Sequence, residues 1–262
     1  MDVKDTYAKL KTILTIKSNK LHNRGSNLPK LIFLHIPRTG GTTIGTILKA
    51  NYSKNEILDF HGITYKNDFY QSYLQNNNKN NSINLVLGHF PFGIHQYLNE
   101  DMKYITIIRN PIHRIISHYC YVKNNKNHHL HKFVAAKSLS IAEYVKSGLS
   151  TELDNGQVRL LAGSTSDLAV GNCASCHLEL AKENLKKHFI EIGVTENIPL
   201  FYANLRHKFN FIITENLWVN RTNGKSQHTH SDTIIYDTII QYNRFDYELY
   251  NWIVNESRNI LL

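Results

Sequence analysis

Lys30-Leu-Ile-Phe-Leu-His-Ile-Pro37 runs directly into Arg38-Thr-Gly-Gly41 and then into Thr42-Thr-Ile-Gly-Thr-Ile-Leu-Lys-Ala50. The first part is almost continuously apolar, which fits a strand buried on both faces, as in a parallel sheet. Pro37 stops the run. The Gly-Gly pair supplies a tight turn, after which Ile44, Ile47 and Leu48 recur at helical spacing. The unit is a strand, a glycine-containing loop and a helix.

The same pattern returns downstream. A second apolar run, Ile83 to Val86, ends in Gly88-His89-Phe90-Pro91-Phe92-Gly93, and a third, Tyr104 to Ile108, ends in Arg109-Asn110-Pro111. Pro111 suits the first position of a helix, with Ile112, Ile115, Ile116 and Tyr119 along one face. Short helices are expected from Ser140 to Val145 and from Asn155 to Ala162, and an amphipathic helix from Glu179 to His188. Phe189 to Val194 reads as a fourth strand, Ile198 to Phe209 as a helix, Phe211 to Ile213 as a short fifth strand, and Asp232 to Ser257 as one or two closing helices. Asn76 to Asn81 and the His-rich stretch 123–132 read as polar loops. Alternating strands and helices, with no repeat and no linker, predict one α/β domain over 29–262 around a mostly parallel sheet; 1–28 reads as a polar appendage.

Composition removes several classes. At 42% hydrophobic residues in a chain of 262, global disorder is excluded and a full core is affordable. Three Cys do not make a disulfide scaffold. No apolar run approaches the roughly 18 residues of a membrane span. The opening residues show neither the apolar core nor the cleavage site of a signal peptide, so a cytoplasmic protein is the expectation. The net charge of +9 points to anionic partners. The basic residues are spread along the chain rather than gathered on one arm, which argues against a nucleic-acid module.

In open parallel sheets, ligands bind beyond the carboxyl ends of the strands. Three such ends carry unusual residues here. Gly40-Gly41 before a helix aims backbone N–H groups at one point, where the helix N-terminus adds about half a positive charge. Thr39, Thr42 and Thr43 add hydroxyls and Arg38 a fixed cation, so Arg38 to Thr43 reads as a phosphate cradle. It lacks the Gly-x-x-x-x-Gly-Lys-Ser/Thr pattern of a Walker loop. Arg109 at a strand end and Ser117, two turns into the next helix, are suited to a second phosphate. His89 sits just after the second apolar run.

HIPRTGGTT, LGHFPFG, IIRNPIHRIISHY and DNGQVRLLAG together resemble the carbohydrate-type sulfotransferases, relatives of the heparan and chondroitin sulfate enzymes, over roughly residues 30–255. The resemblance implies a P-loop-like three-layer α/β fold. It also implies 3′-phosphoadenosine 5′-phosphosulfate (PAPS) as donor, adenosine 3′,5′-bisphosphate as product, and a hydroxyl acceptor, expected to be a glycan. On that pattern Arg38, Thr39, Gly40, Gly41, Thr42 and Thr43 hold the 5′-phosphosulfate, and Arg109 with Ser117 holds the 3′-phosphate. His89 is the catalytic base, Arg38 meets charge on the leaving phosphate, and Arg221 with Thr222 closes over the nucleotide. The family's first loop usually carries Lys where this chain has Arg38. Arg stays protonated and works through a planar fork, so it does not act as an acid. Neutral imidazole suits proton abstraction at neutral pH, and the chemistry requires no metal.

Rival readings stay open at this level. They are a P-loop-type kinase or NTPase, and an inactive module binding acidic polysaccharide. His95 competes with His89 as base, and His35 reads as structural. Cys173-Ala-Ser-Cys176-His177 matches a haem-attachment pattern, but the only Met residues are Met1 and Met102; a loop and helix cap is the simpler reading, with a redox dithiol, or a zinc site completed by His177 and distant histidines though no second Cys-x-x-Cys is present, as the alternatives. His128, His129 and His131, with Lys123, Lys126 and Lys132, would suit a groove for an anionic glycan.

Overall fold

The structure is a computed structural model and describes residues 28–61, 83–98, 101–163, 168–213 and 232–259. Five strands, β1 (Leu31–Leu34), β2 (Ile57–Asp59), β3 (Leu85–Gly88), β4 (Lys103–Ile108) and β5 (Phe189–Val194), pair in the order β2-β3-β1-β4-β5. Every pairing is parallel.

The period of two explains the layering. Leu31 and Phe33 of β1, Leu85 and Leu87 of β3, and Ile105 and Ile107 of β4 enter one core. That core is closed by helices α1 (Gly41–Asn51) and, beyond the helices that follow β4, α7 (Ile198–Phe209). Ile32, Leu34, Val86, Tyr104 and Ile108 enter the opposite core. It is closed by α5 (Gly156–Ala162), α6 (Ser175–His188) and α9 (Arg244–Asn259). Each fully buried aliphatic or aromatic side chain of this kind contributes about 1.5–3 kcal/mol. Thr106, polar and without exposed surface, is accommodated because its hydroxyl donates to the Leu34 carbonyl at 2.8 Å. A third cluster joins α2 (Pro111–Asn124), α3 (His131–Ala136), α4 (Ile141–Lys146) and α8 (Asp232–Tyr242) beside the sheet.

The three-layer α/β expectation is met, with two differences in the strands. Phe211 to Ile213 is not a strand. Phe211 and Ile213 are buried, but the backbone finds side-chain partners instead of a ladder: Ile212 N–H donates to Asn51 Oδ1 at 2.8 Å, and the Ile213 carbonyl accepts from Arg206 at 2.7 Å. The fifth strand is instead β2, three residues long on the opposite edge. The closing segment is two helices, α8 and α9. Residues 1–27, including most of the expected appendage, and Arg221 and Thr222 lie outside the described residues.

The order of the sheet places the functional crevice. From β1 the chain moves to β2 at one edge and back to β3, then crosses to β4 and β5 on the other side. The loops leaving β1 and β4 therefore diverge, and the gap between them is where such sheets take ligands.

Candidate active site

The loop after β1 is shaped by residues that cannot be exchanged freely. Arg38 adopts φ +69°, a left-handed conformation costing a non-glycine residue about 1–3 kcal/mol. Gly40 follows at φ +87° as the N-cap of α1. A Cβ on Gly41 would lie 2.1 Å from His35 Cδ2, so the backbone is pressed against an imidazole ring. Thr39 is fully buried and its hydroxyl donates back to the Ile36 carbonyl at 2.8 Å, so it builds the turn from inside. Thr42 is exposed and Thr43 buried at the start of α1. Among the described residues no side chain caps this helix.

Three of the expected residues converge. Arg38 donates to Ser117 Oγ through Nε at 3.2 Å and Nη2 at 3.0 Å, and its guanidinium lies 4.6 Å from the Tyr121 ring centre. Arg109 Nη1 donates to the Arg38 carbonyl at 3.1 Å. Arg109 Nε is buried and, among the described residues, has no hydrogen-bond partner. Burial lowers the pKa of both guanidines, and each lies within the other's field or that of neighbouring charges. Two cations and a hydroxyl at one point, with a buried donor unspent, fit an anion carrying several acceptor oxygens. Arg38 was expected at the 5′ end of the nucleotide; its side chain here stands on the residue expected at the 3′ end.

The DNGQVR segment, to which the sequence assigns no role, proves to hold Arg109 from behind. Gln157 clamps both backbone groups of Arg109, accepting from its N–H at 2.9 Å and donating to its carbonyl at 2.9 Å. Gln157 is fixed in turn because Asp246 accepts from the N–H groups of Gln157 at 3.1 Å and Val158 at 2.8 Å. Asp246 faces Arg114 at 3.5 Å, both fully buried, and Asp154 pairs with Arg159. Thr195 Oγ1 lies 2.6 Å from the Thr39 carbonyl and 2.9 Å from that of Ile108, joining the β1 and β4 loops.

Beside this crevice stand three histidines from adjacent strand ends. His35 is 4% exposed, and its Nδ1 lies 2.6 Å from His61 Nε2. His61 Nδ1 is 2.7 Å from Asp59 Oδ1, and His89 Nδ1 is 2.6 Å from the His35 carbonyl. Burial holds His35 well below the ordinary imidazole pKa, with His89, His61 and Arg38 adding to the effect. His89 presents an exposed edge, yet the rings packed around it remove enough water to lower its pKa too, against the opposing pull of the His35 carbonyl. Burial pushes Asp59 up, but its hydrogen bonds with His61 and Lys49 prevail and hold it well below the carboxylate range.

Glu152 went unnoticed in the sequence. Its side chain is 36% exposed, while Oε2 itself is buried, 3.2 Å from His118 Nε2 but without a well-aligned hydrogen bond. Burial raises its pKa, and His118 and Arg114 outweigh that to bring it to about 2. The carboxylate acts on His89, Arg38 and His128. No short motif marks it, since it enters the crevice from a 3-10 turn (Thr151–Leu153) far along the chain.

Other expected groups are placed elsewhere. His95 bonds the Tyr104 hydroxyl at 2.9 Å, near the amino end of β4 and so about four strand residues from the crevice. Cys173 is buried and pushed up to about 12 by burial, while Cys176 is exposed in the first turn of α6. His177 Nδ1 accepts from the Ala174 N–H at 2.8 Å, the loop-and-cap arrangement. Tyr119 packs in the third cluster with its hydroxyl on the Leu139 carbonyl.

Among solved structures, mouse sulfotransferase SULT7A1 complexed with PAP aligns over 90% of this chain and 91% of its own, at 14% identity and a TM-score of 0.35, a likeness too loose to bear on the site. No curated protein matches in sequence. Among the described residues no helix is long and apolar enough to cross a membrane. The profile of the sulfotransferase family matches residues 26–157, which is half of the chain and runs from the approach to β1 through Gln157. The chain therefore belongs to the sulfotransferase family, enzymes that draw the sulfuryl group from 3′-phosphoadenosine 5′-phosphosulfate.

Proposed function

We propose that this protein transfers a sulfuryl group from PAPS to a hydroxyl of a carbohydrate. The observation that carries the reading is the meeting of Arg38, Arg109 and Ser117 in the gap between the β1 and β4 loops, with Arg109 Nε buried and unspent. Arg109 and Ser117 hold the 3′-phosphate. The first amides of α1, at Gly41, Thr42 and Thr43, hold the phosphosulfate, and Arg221 with Thr222 closes the nucleotide site. Reading Arg38 as the cation that meets leaving-group charge requires it to exchange the Ser117 hydroxyl for a phosphate oxygen. Fixed donors of this kind stabilise charge as it develops without reorganising.

His89 takes the acceptor's proton. Its Nδ1–H is committed to the His35 carbonyl, so Nε2 carries the lone pair. The lowered pKa keeps that lone pair available at neutral pH. The Glu152 carboxylate then steadies the imidazolium that forms. The acceptor reading draws support from exposed Tyr121 and the stacked His128 and His129 rings beside Glu152, a polar and aromatic flank suited to a sugar face.

Thermal shift with adenosine 3′,5′-bisphosphate against ATP tests the nucleotide. A ligand at a thousandfold excess over Kd adds about 4 kcal/mol of stability. The bisphosphate is expected to stabilise strongly and ATP weakly; the reverse order points to a kinase or NTPase. Sulfate transfer to a glycan panel, lost in His89→Ala while the bisphosphate shift persists, tests the base. Binding without transfer to any acceptor marks an inactive module.

A further inference from the structure

His35 follows β1, His61 follows β2 and His89 follows β3, three strands adjacent in the sheet. One ring nitrogen from each lies within 4.8 Å of the other two, the one such grouping among the described residues. The rings pack at 4.9 Å between His35 and His61, 4.2 Å between His35 and His89, and 4.9 Å between His61 and His89. We propose that His35, His61 and His89 form a three-histidine site for a zinc-class divalent ion, with a fourth position open to water or an acceptor oxygen.

The partners of the remaining nitrogens carry the argument. A carboxylate or a carbonyl oxygen only accepts, so His61 Nδ1 donates to Asp59 and His89 Nδ1 donates to the His35 carbonyl. Both residues therefore present an unprotonated Nε2. A histidine that binds metal through one nitrogen typically gives its other N–H to such an oxygen, which fixes tautomer and ring plane. Asp59 is itself tied to Lys49 at 2.8 Å, so the supporting carboxylate is held in place. His35 Nδ1 and His61 Nε2 share a single hydrogen at 2.6 Å, the proton a metal ion would displace. Zinc bonds of about 2.0–2.1 Å in tetrahedral geometry place two nitrogens about 3.3 Å apart, so the pair must open by less than about 1 Å. His35 is locked between Phe33 and Gly41. His61 is only half-buried and is the residue that yields. Imidazole donors without thiolate suit zinc, copper, nickel or cobalt in preference to magnesium or calcium.

Sulfuryl transfer needs no metal, and an ion on His89 Nε2 would occupy the lone pair assigned to the base, so metal binding and proton abstraction are alternative uses of that nitrogen. The inference does not rest on His89 acting as a base, since binding is measured without donor or acceptor.

The experiment titrates the untagged full-length chain with Zn²⁺ by calorimetry and with Co²⁺ by visible absorption. The expected result is one ion per chain, with intense tetrahedral Co²⁺ bands. His61→Ala abolishes saturable binding, and Asp59→Asn, an exposed change that spares the core, weakens it about 10–100-fold. His128→Ala/His129→Ala leaves both readouts unchanged. Absence of saturable binding by the wild-type chain overturns the proposal. So does wild-type affinity in both His61→Ala and Asp59→Asn, or loss of binding in the His128/His129 variant, which would place the ion in the neighbouring loop.

Discussion

Replacing Gly41 by alanine tests whether the loop after β1 and the histidine cluster are one mechanical unit. The added methyl would stand 2.1 Å from His35 Cδ2, 2.3 Å from Nε2 and 2.7 Å from Cγ, where ordinary contact begins at 3.4 Å. The ring or the loop must therefore give by more than 1 Å. The ring has little room, being stacked on Phe33 with centroids 5.4 Å apart and bonded to His61 at 2.6 Å. Overpacking of this kind costs about 1–3 kcal/mol. At roughly 2–4 °C per kcal/mol for a chain of this size, the melting midpoint falls by about 2–12 °C. Gly45, one turn further along α1, is the internal control. A methyl there meets Leu87 Cδ1 at 3.4 Å and His61 Cε1 at 3.9 Å, ordinary contacts. Gly45→Ala should be neutral or stabilise by up to about 1 kcal/mol, the gain of alanine over glycine in a helix. Urea denaturation of both variants, with turnover measured alongside, gives the comparison. The His35 carbonyl orients His89, so the Gly41 variant should lose turnover as well as stability. If Gly41→Ala matched Gly45→Ala in midpoint and in rate, the claimed clamp on His35 would be wrong.

Three further outcomes are expected. The base role proposed for His89 requires the neutral ring, whose pKa burial lowers, so the rate should fall on the acid side with a midpoint below pH 6.5; an acid limb centred above pH 6.5 in kcat/KM excludes His89 as base. Stability should be complete above about pH 6.5 and decline below it, since the unfolded chain takes up protons there that folded His35 and His89 refuse; a urea midpoint unchanged between pH 7 and 5 contradicts this. Asp246→Ala should cost about 3–5 kcal/mol by leaving Arg114 buried without its carboxylate, and Asp246→Asn less; a loss under about 1 kcal/mol for the alanine, read by urea denaturation, would show that the pair does not brace Arg109 through Gln157.

The layered sheet could be read from residues 31–34, 85–88, 103–108 and 189–194 because burial on both faces leaves a nearly unbroken apolar run in the chain itself. The loop after β1 was legible for a similar reason, since positive φ and close approach leave glycine as their trace. Phe211 to Ile213 shows the limit of that logic. An apolar run records burial, while strand formation depends on which backbone groups lie alongside, and there Asn51 and Arg206 supply the partners. β2 is only three residues long and half-exposed, too short to show a period.

Glu152, Gln157 and the alignment of His35, His61 and His89 lie beyond any local pattern. His35 and His61 stand 26 residues apart, Arg109 and Gln157 48, and Gln157 and Asp246 89, and the sheet sets β1 between β3 and β4 although β2 follows β1 along the chain. Residue type and local period mark loops at strand ends whose glycines, hydroxyls and cations suit an anion. Strand order establishes that Arg38 and Arg109 share one crevice and that three imidazoles stand together, because adjacency across a parallel sheet comes from crossovers whose destinations no neighbouring residues encode.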